Sequence, residues 1–320
     1  MLGAQYQFLR DFVVGGAVIY RWLGRVIEDT GGSIASGLGP SILANPGSSS
    51  ASTIAALERN ADAWEAAAKA TDATPATVAA AARARALANA AQMPSPERTY
   101  KAIQLTVTKR LARNWFFSGS YTYSRTMGNY AGLYDADYGR QMNPNNSSQY
   151  DYLELMTNRY GPLPNDRPHV VHADGYYQFV LGRHTFTPGL GFTGQSGQPI
   201  TPLGYAPANS AVYILPRGSA GSTPFLTQVD LHLSYRWQMT KTFSAEAFMD
   251  IFNLLNRRTV TSVDAYYSTD DAVMPATPGT PLTAVQAFGE NRAASPNPNY
   301  LHPTAYQAPI AGRLGGRVRF

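Results

Sequence analysis

The sequence closes on Pro309-Ile310-Ala311-Gly312-Arg313-Leu314-Gly315-Gly316-Arg317-Val318-Arg319-Phe320. On an extended chain successive side chains point to opposite sides. Ile310, Gly312, Leu314, Gly316, Val318 and Phe320 therefore share one face, and Ala311, Arg313, Gly315, Arg317 and Arg319 share the other. Arginines at alternate positions do not sit unpaired in a dry core. The apolar residues opposite them gain nothing from plain water. A sheet with hydrocarbon on one side and water on the other satisfies both faces, and the wall of a transmembrane β-barrel is such a sheet. An edge strand of a soluble sandwich carries the same alternation, so the rest of the chain has to separate the two.

Working back from the end, the pattern repeats. Ala245, Ala247, Met249 and Ile251 alternate with Ser244, Glu246, Phe248 and Asp250. The clearest stretch sets Val229, Leu231, Leu233, Tyr235 and Trp237 against Gln228, Asp230, His232, Ser234 and Arg236. Phe186, Pro188, Leu190 and Phe192 alternate with Thr185, Thr187, Gly189 and Thr193, and Val171, Ala173, Gly175 and Tyr177 with His172, Asp174 and Tyr176. Phe117, Gly119, Tyr121 and Tyr123 face away from Ser118, Ser120, Thr122 and Ser124, as do Ile103, Leu105 and Val107 from Gln104, Thr106 and Thr108. From Phe12 to Val26 both faces are apolar, so the assignment stays open there; Gly3–Leu9 reads as the tail of one more strand. The expectation is about nine antiparallel strands.

The connections alternate in length. Turns near Arg10, Arg113, Gly182 and Thr240 are tight, whereas 31–96, 127–166, 199–223 and 257–308 are long. Membrane barrels have short periplasmic turns and long extracellular loops, and a soluble sandwich has no cause for that alternation. Aromatics gather at the short-turn ends (Phe8, Phe12, Trp115, Phe116, Phe179, Trp237, Phe243 and Phe320), where an interfacial girdle belongs. Within 31–96, Ile54, Leu57, Ala61, Trp64 and Ala68 follow helical spacing, and Thr74-Pro75 reads as an N-cap with Pro at N1 before an alanine-rich run. That insert is expected to be an extracellular loop carrying a short helical hairpin.

Composition narrows the function classes. Cys is absent, which excludes a disulfide framework and thiolate metal sites. Hydrophobic residues make up 44% with a mean hydropathy of −0.24, and no run approaches the ~20 apolar residues of a membrane helix. The net charge of +5 comes from dispersed Arg and Lys rather than a cluster, so nucleic acid is not an expected partner. Met1–Tyr6 has neither a basic region nor an apolar core of an export signal. With an incomplete leading strand, this suggests the carboxy-terminal piece of a longer protein.

Several stretches resemble one family. They are Val18-Ile19-Tyr20-Arg21 with Val26-Ile27-Glu28-Asp29, Asn45-Pro46-Gly47, and Arg98-Thr99-Tyr100-Lys101-Ala102. Tyr121-Thr122-Tyr123-Ser124-Arg125 leading to Gly128-Asn129-Tyr130-Ala131-Gly132, Gly161–His169, and Asp250-Ile251-Phe252-Asn253-Leu254-Leu255-Asn256 complete the set. Together they resemble the C-terminal barrel of TonB-dependent outer-membrane receptors, in the Oar-like group with a carboxypeptidase-regulatory-like N-terminal domain. The resemblance covers the chain apart from the alanine-rich insert. It implies a partial transmembrane antiparallel β-barrel over residues 1–320, located in the cell outer membrane of a Gram-negative bacterium. It also implies outer-membrane lipid as surroundings and the barrel-assembly machinery as a partner through terminal Phe320. Plug and TonB contacts would come only through an N-terminal part this chain lacks. A stand-alone porin-like barrel is the alternative, and the substrate is not legible.

No catalytic, cofactor or metal residue is assigned. His169 and His172 are three apart and point to opposite faces. Asp230, His232, Glu246 and Asp250 share the lumen-facing sets and read as a polar lattice rather than a catalytic cluster. Asp135 with Asp137, and Asp264 with Asp270 and Asp271, are loop acids without a calcium-loop spacing. The 127–166 loop, with Asn143-Pro144-Asn145-Asn146, carries aromatic and amide groups of the kind that contact ligands. Arg236, Arg313, Arg317 and Arg319 would favour anionic groups in the lumen.

Overall fold

Nine long strands follow the period-2 pattern: β1 (Leu2–Leu9), β2 (Phe12–Leu23), β3 (Arg98–Ala112), β4 (Trp115–Gly128), β5 (His169–Tyr177), β6 (His184–Gln195), β7 (Leu226–Gln238), β8 (Ser244–Phe252) and β9 (Ala311–Arg319). The computed structural model describes residues 1–34, 39–132, 134, 135, 140, 141, 150–206 and 210–320. Each strand pairs antiparallel with the next, giving one continuous meander from β1 to β9. Two helices, α1 (Ala51–Ala68) and α2 (Pro75–Gln92), lie in the connection between β2 and β3. The longest hairpin is closed by Arg113 and Asn114 at φ 54° and 65°. Two left-handed residues make the type I′ geometry that matches strand twist.

Register turns the alternation into two faces. One row runs Tyr6, Val14, Val107, Gly119, Ala173, Phe192 and Val229, strand to strand. The neighbouring row on the other face runs Thr106, Ser120, His172, Thr193 and Gln228. The same pairing settles β2: Val14, Gly16 and Val18 join the apolar face, and Gly15, Ala17 and Ile19 the polar one.

Nothing among the described residues covers the apolar face. Leu105 is 53% exposed, Leu190 57% and Leu314 80%. The fully buried apolar residues lie in the helical hairpin and the connections, and Ala102 is the one member contributed by the nine strands. A soluble sandwich would bury this face against a second sheet, so the solvent for it is hydrocarbon. Lys109 falls in an apolar row yet is 2% exposed. Its Nζ donates to the carbonyls of Arg110, Ala112 and Trp115 at 2.9, 2.8 and 3.0 Å and lies 4.3 Å from the Trp115 ring centre. The cation thus closes the turn while its stem stays in the apolar layer.

The girdle at the short-turn end forms as expected in part. Phe8, Phe12 and Trp115 make a chain of ring contacts at 5.5 and 6.0 Å, continued by Tyr177 with Phe179 and by His184 with Trp237. Phe116 departs from it: period 2 puts it on the polar face, where it stacks on Tyr176 at 5.2 Å. Phe320 lies beyond β9 and is fully exposed. In the insert, Thr74 caps α2 as its sequence suggests. Leu57 and Ala61 pack on Ala84 and Ala88. Trp64 does not join them and is 41% exposed.

Candidate functional site

Two regions hold the chemistry: the polar face of β7 to β9, and the cap formed by the long connections. On the polar face Asp250 is the hub. It accepts from His232 Nδ1 at 2.6 Å and from Arg313 Nη2 and Nε at 2.6 and 2.9 Å. Asp230 turns away, accepting from Gln228 Nε2 at 2.9 Å and from the Asn253 amide at 2.8 Å. Glu246 faces Arg317 and Arg319 at 4.0 and 3.8 Å. His232, Arg236, Glu246 and Arg319 then line a polar niche of ≈ 250 Å³ with Tyr176, Gln178, Thr187 and Ser234. The polar side chains expected on this face do form hydrogen bonds, with Asp250, His232 and Arg313 joined and Asp230 held by its own neighbours. His169 and His172 do lie on opposite faces: His169 stacks on Tyr121, and His172 meets Thr193 Oγ1 at 3.3 Å.

The loop acids do not converge. Asp264 accepts from Asn297 Nδ2 and the Tyr266 amide. Asp270 is saturated by Arg292, Ser268 and the Ser295 amide. The Arg292 guanidinium, helped by the Ser295 and Ser268 donors, holds the Asp270 carboxyl down at about 2. No group of three metal-ligating side chains occurs among the described residues. Asp137, the Asp135 side chain and Asn143-Pro144-Asn145-Asn146 lie outside the described residues.

The cap is what the sequence did not show. Residues from the long connections meet in one apolar cluster of Leu155, Ala206, Val212, Ile214, Tyr267, Val273, Val285 and Ala294. Asn158, at φ 64°, donates Nδ2 to the carbonyls of Tyr213, Ile214 and Ala276, tying three connections at one amide. Arg159 is fully buried; its Nε donates to Leu155 O at 2.7 Å and its guanidinium lies 4.9 Å from the Tyr213 ring centre. Arg217 packs on the same ring at 4.5 Å and donates to the Tyr213 hydroxyl at 2.6 Å.

The family-like stretches anchor this cap to the sheet. In Gly161–His169, Leu163 is fully buried, and Asp166 accepts from the Thr126 amide at 2.6 Å beside Arg125 at 3.3 Å. Asn129 accepts from the Glu97 amide, and Tyr130 donates to Glu28 at 2.7 Å. Asn253 donates to the carbonyls of Arg257 and Ala308, and Asn256 accepts from the Ile310 amide, closing the connection between β8 and β9. These residues are visible in the sequence as motifs, and their work is structural.

One seam of the cap titrates. Asp151 sits near Asp29 and Glu28, with Arg159 opposing them, and burial first, then the two acids, push its pKa from 3.8 up to about 7. The neutral carboxyl is therefore preferred in the folded seam. Its contribution is full below pH ~4 and is lost as pH rises to about 7, the reverse of an ion-paired carboxylate. Amides near Tyr152, which bridges Gly32, are expected to exchange more slowly at pH 5 than at pH 8, after correction for intrinsic rates. Asp151→Asn should remove that difference in hydrogen-exchange mass spectrometry.

Comparisons with known proteins agree with this geometry. The family model described as an outer membrane beta barrel domain matches residues 47–197. TonB-dependent transporter Oar of Myxococcus xanthus is 32% identical over 248 residues, covering 72% of this chain. The chain spans 23% of the length of that relative. Looser likenesses in solved structures include the ferric-catecholate import receptor Fiu of E. coli, at 12% identity and a TM-score of 0.39 over 82% of this chain and 24% of that one. FpvA of P. aeruginosa, solved with bound pyoverdine, gives 11% identity and a TM-score of 0.36 over 99% and 32%. The sheet lies in the cell outer membrane: residues 47–197 match an outer membrane beta barrel domain, and the chain is similar to part of a TonB-dependent transporter.

Proposed function

We propose that residues 1–320 supply part of the wall and the extracellular face of a TonB-dependent transporter. In this reading the polar face of β1 to β9 lines the lumen, and the cap formed by the described residues of 24–97, 129–168, 196–225 and 253–310 is extracellular, with the helical hairpin as its outer insert. A plug elsewhere in the polypeptide fills the lumen and takes energy from TonB. The observation that carries the reading is the pairing of a two-faced meander with long connections that fold together at one end. The chain's role is transport rather than catalysis, since its relative is named a transporter and its lumen carboxylates Asp250 and Glu246 face arginines. Planar-bilayer conductance of the protein isolated from outer membranes tests it. A plugged receptor stays closed until mild denaturant loosens the plug; a steady open conductance without denaturant would instead identify a porin.

A further inference from the structure

A groove of ≈ 830 Å³ runs along the apolar face across β4, β5 and β6, within the ~300–1,000 Å³ of ligand clefts. Register explains it. Gly175 lies between Phe117 and Leu190, and Ala173 lies between Gly119 and Phe192. The Phe117 ring leans along its strand over Gly119, where an added Cβ would lie 3.1 Å from Cζ. Large side chains thus stand on both sides of a strand that has almost nothing above its backbone. Trp115 closes one end, directly after the Arg113-Asn114 turn. From Trp115 to Gly119 is about 14 Å at ~3.4 Å per residue, roughly half of the ~25 Å apolar band. The groove therefore occupies the half of the membrane next to the short turns. At that mouth stand exposed Arg110, Arg113 and Arg183, and segments 110–114 and 182–183 contain no carboxylate.

We propose that this groove seats an acyl chain of an anionic glycerophospholipid from the periplasmic leaflet, with its phosphate against Arg113 and Arg183. The apolar walls select a hydrocarbon chain, and the turn cations select the headgroup charge. The leaflet rests on short turns facing the periplasm, as read above; the binding itself does not. Each basic residue near a charged lipid surface contributes about 1 kcal/mol, close to fivefold in occupancy.

The test uses the isolated protein with Trp115 as its sole tryptophan, in nanodiscs containing chain-brominated phosphatidylglycerol or phosphatidylcholine. Trp115 should be quenched by brominated phosphatidylglycerol at a mole fraction about fivefold or more below that needed for brominated phosphatidylcholine. Arg113→Gln with Arg183→Gln should abolish that preference, and Ala173→Phe should abolish the high-affinity quenching. A matched protein with Trp22 as sole tryptophan, near the opposite end of the sheet, should show no preference. Equal quenching of Trp115 by both lipids would overturn the proposal, as would a preference equal at Trp22. The comparison of Trp115 with Trp22 needs no groove variant, so it decides the matter even if Ala173→Phe fails to assemble. Symmetric nanodiscs make the outcome independent of orientation, so a failed groove and a reversed sheet give different results.

Discussion

Leu105→Arg is expected to destabilise the assembled protein by ~2–4 kcal/mol, the range for Arg near the midplane on the lipid face of a barrel. Leu105 sits at the middle of β3 and is 53% exposed. On a water-soluble protein, arginine at a half-exposed leucine would be close to neutral. In the membrane it drags a guanidinium into hydrocarbon, where neither neighbour supplies a counter-charge: Leu105 pairs with Gly16 on β2 and Tyr121 on β4. Gln104→Arg, one residue away on the polar face, should change stability by less than about 1 kcal/mol. Reversible denaturant titrations in lipid measure both, and equal small effects at the two positions would contradict the face assignment.

Leu155→Ala should cost about 2–5 kcal/mol of cap stability, as other buried leucine truncations do. Leu155 is fully buried, and its cluster draws Val212, Ile214, Val273 and Val285 from two further connections. Its carbonyl also accepts from the buried Arg159 Nε, so a shift of this turn disturbs the guanidinium packed on Tyr213. The loss should be local, because the strands hold their own ladders. Limited proteolysis is expected to open 150–160 and 270–295 while β1 to β9 remain protected. Cleavage within the strands at the same protease dose would show that cap and sheet are one cooperative unit.

The sequence made the strands plain and the cap obscure, for a physical reason. A strand in a two-solvent wall repeats its choice at every second residue, so β7 or β9 declares itself in ten residues. β2 carries Gly15, Ala17 and Ile19 on the polar face, and only its pairing with β3 shows which side is which. The cap has no such period. Leu155, Val212, Val273 and Ala294 fall in short, separate stretches such as Ala211–Leu215 and Ala272–Met274, and each finds partners tens of residues away. The lumen cluster was half legible: Asp250 and His232 were in the right set, but the choice of Arg313 as third member depends on the β8–β9 register. The motif residues Asn129, Asp166 and Asn253 stood out in the sequence, yet nothing short of the hydrogen bonds reveals that they staple loops to strands.

The most direct test places a spin label at each position of β7 in turn, a strand in a chain without native cysteine, and measures collision with oxygen and with a water-soluble nickel chelate. The expected result is a period of two: oxygen dominates at Val229, Leu231, Leu233 and Tyr235, and the nickel complex at Gln228, Asp230, His232, Ser234 and Arg236. Equal access of the nickel complex to both sets, or oxygen maxima without alternation, would contradict a wall between hydrocarbon and water.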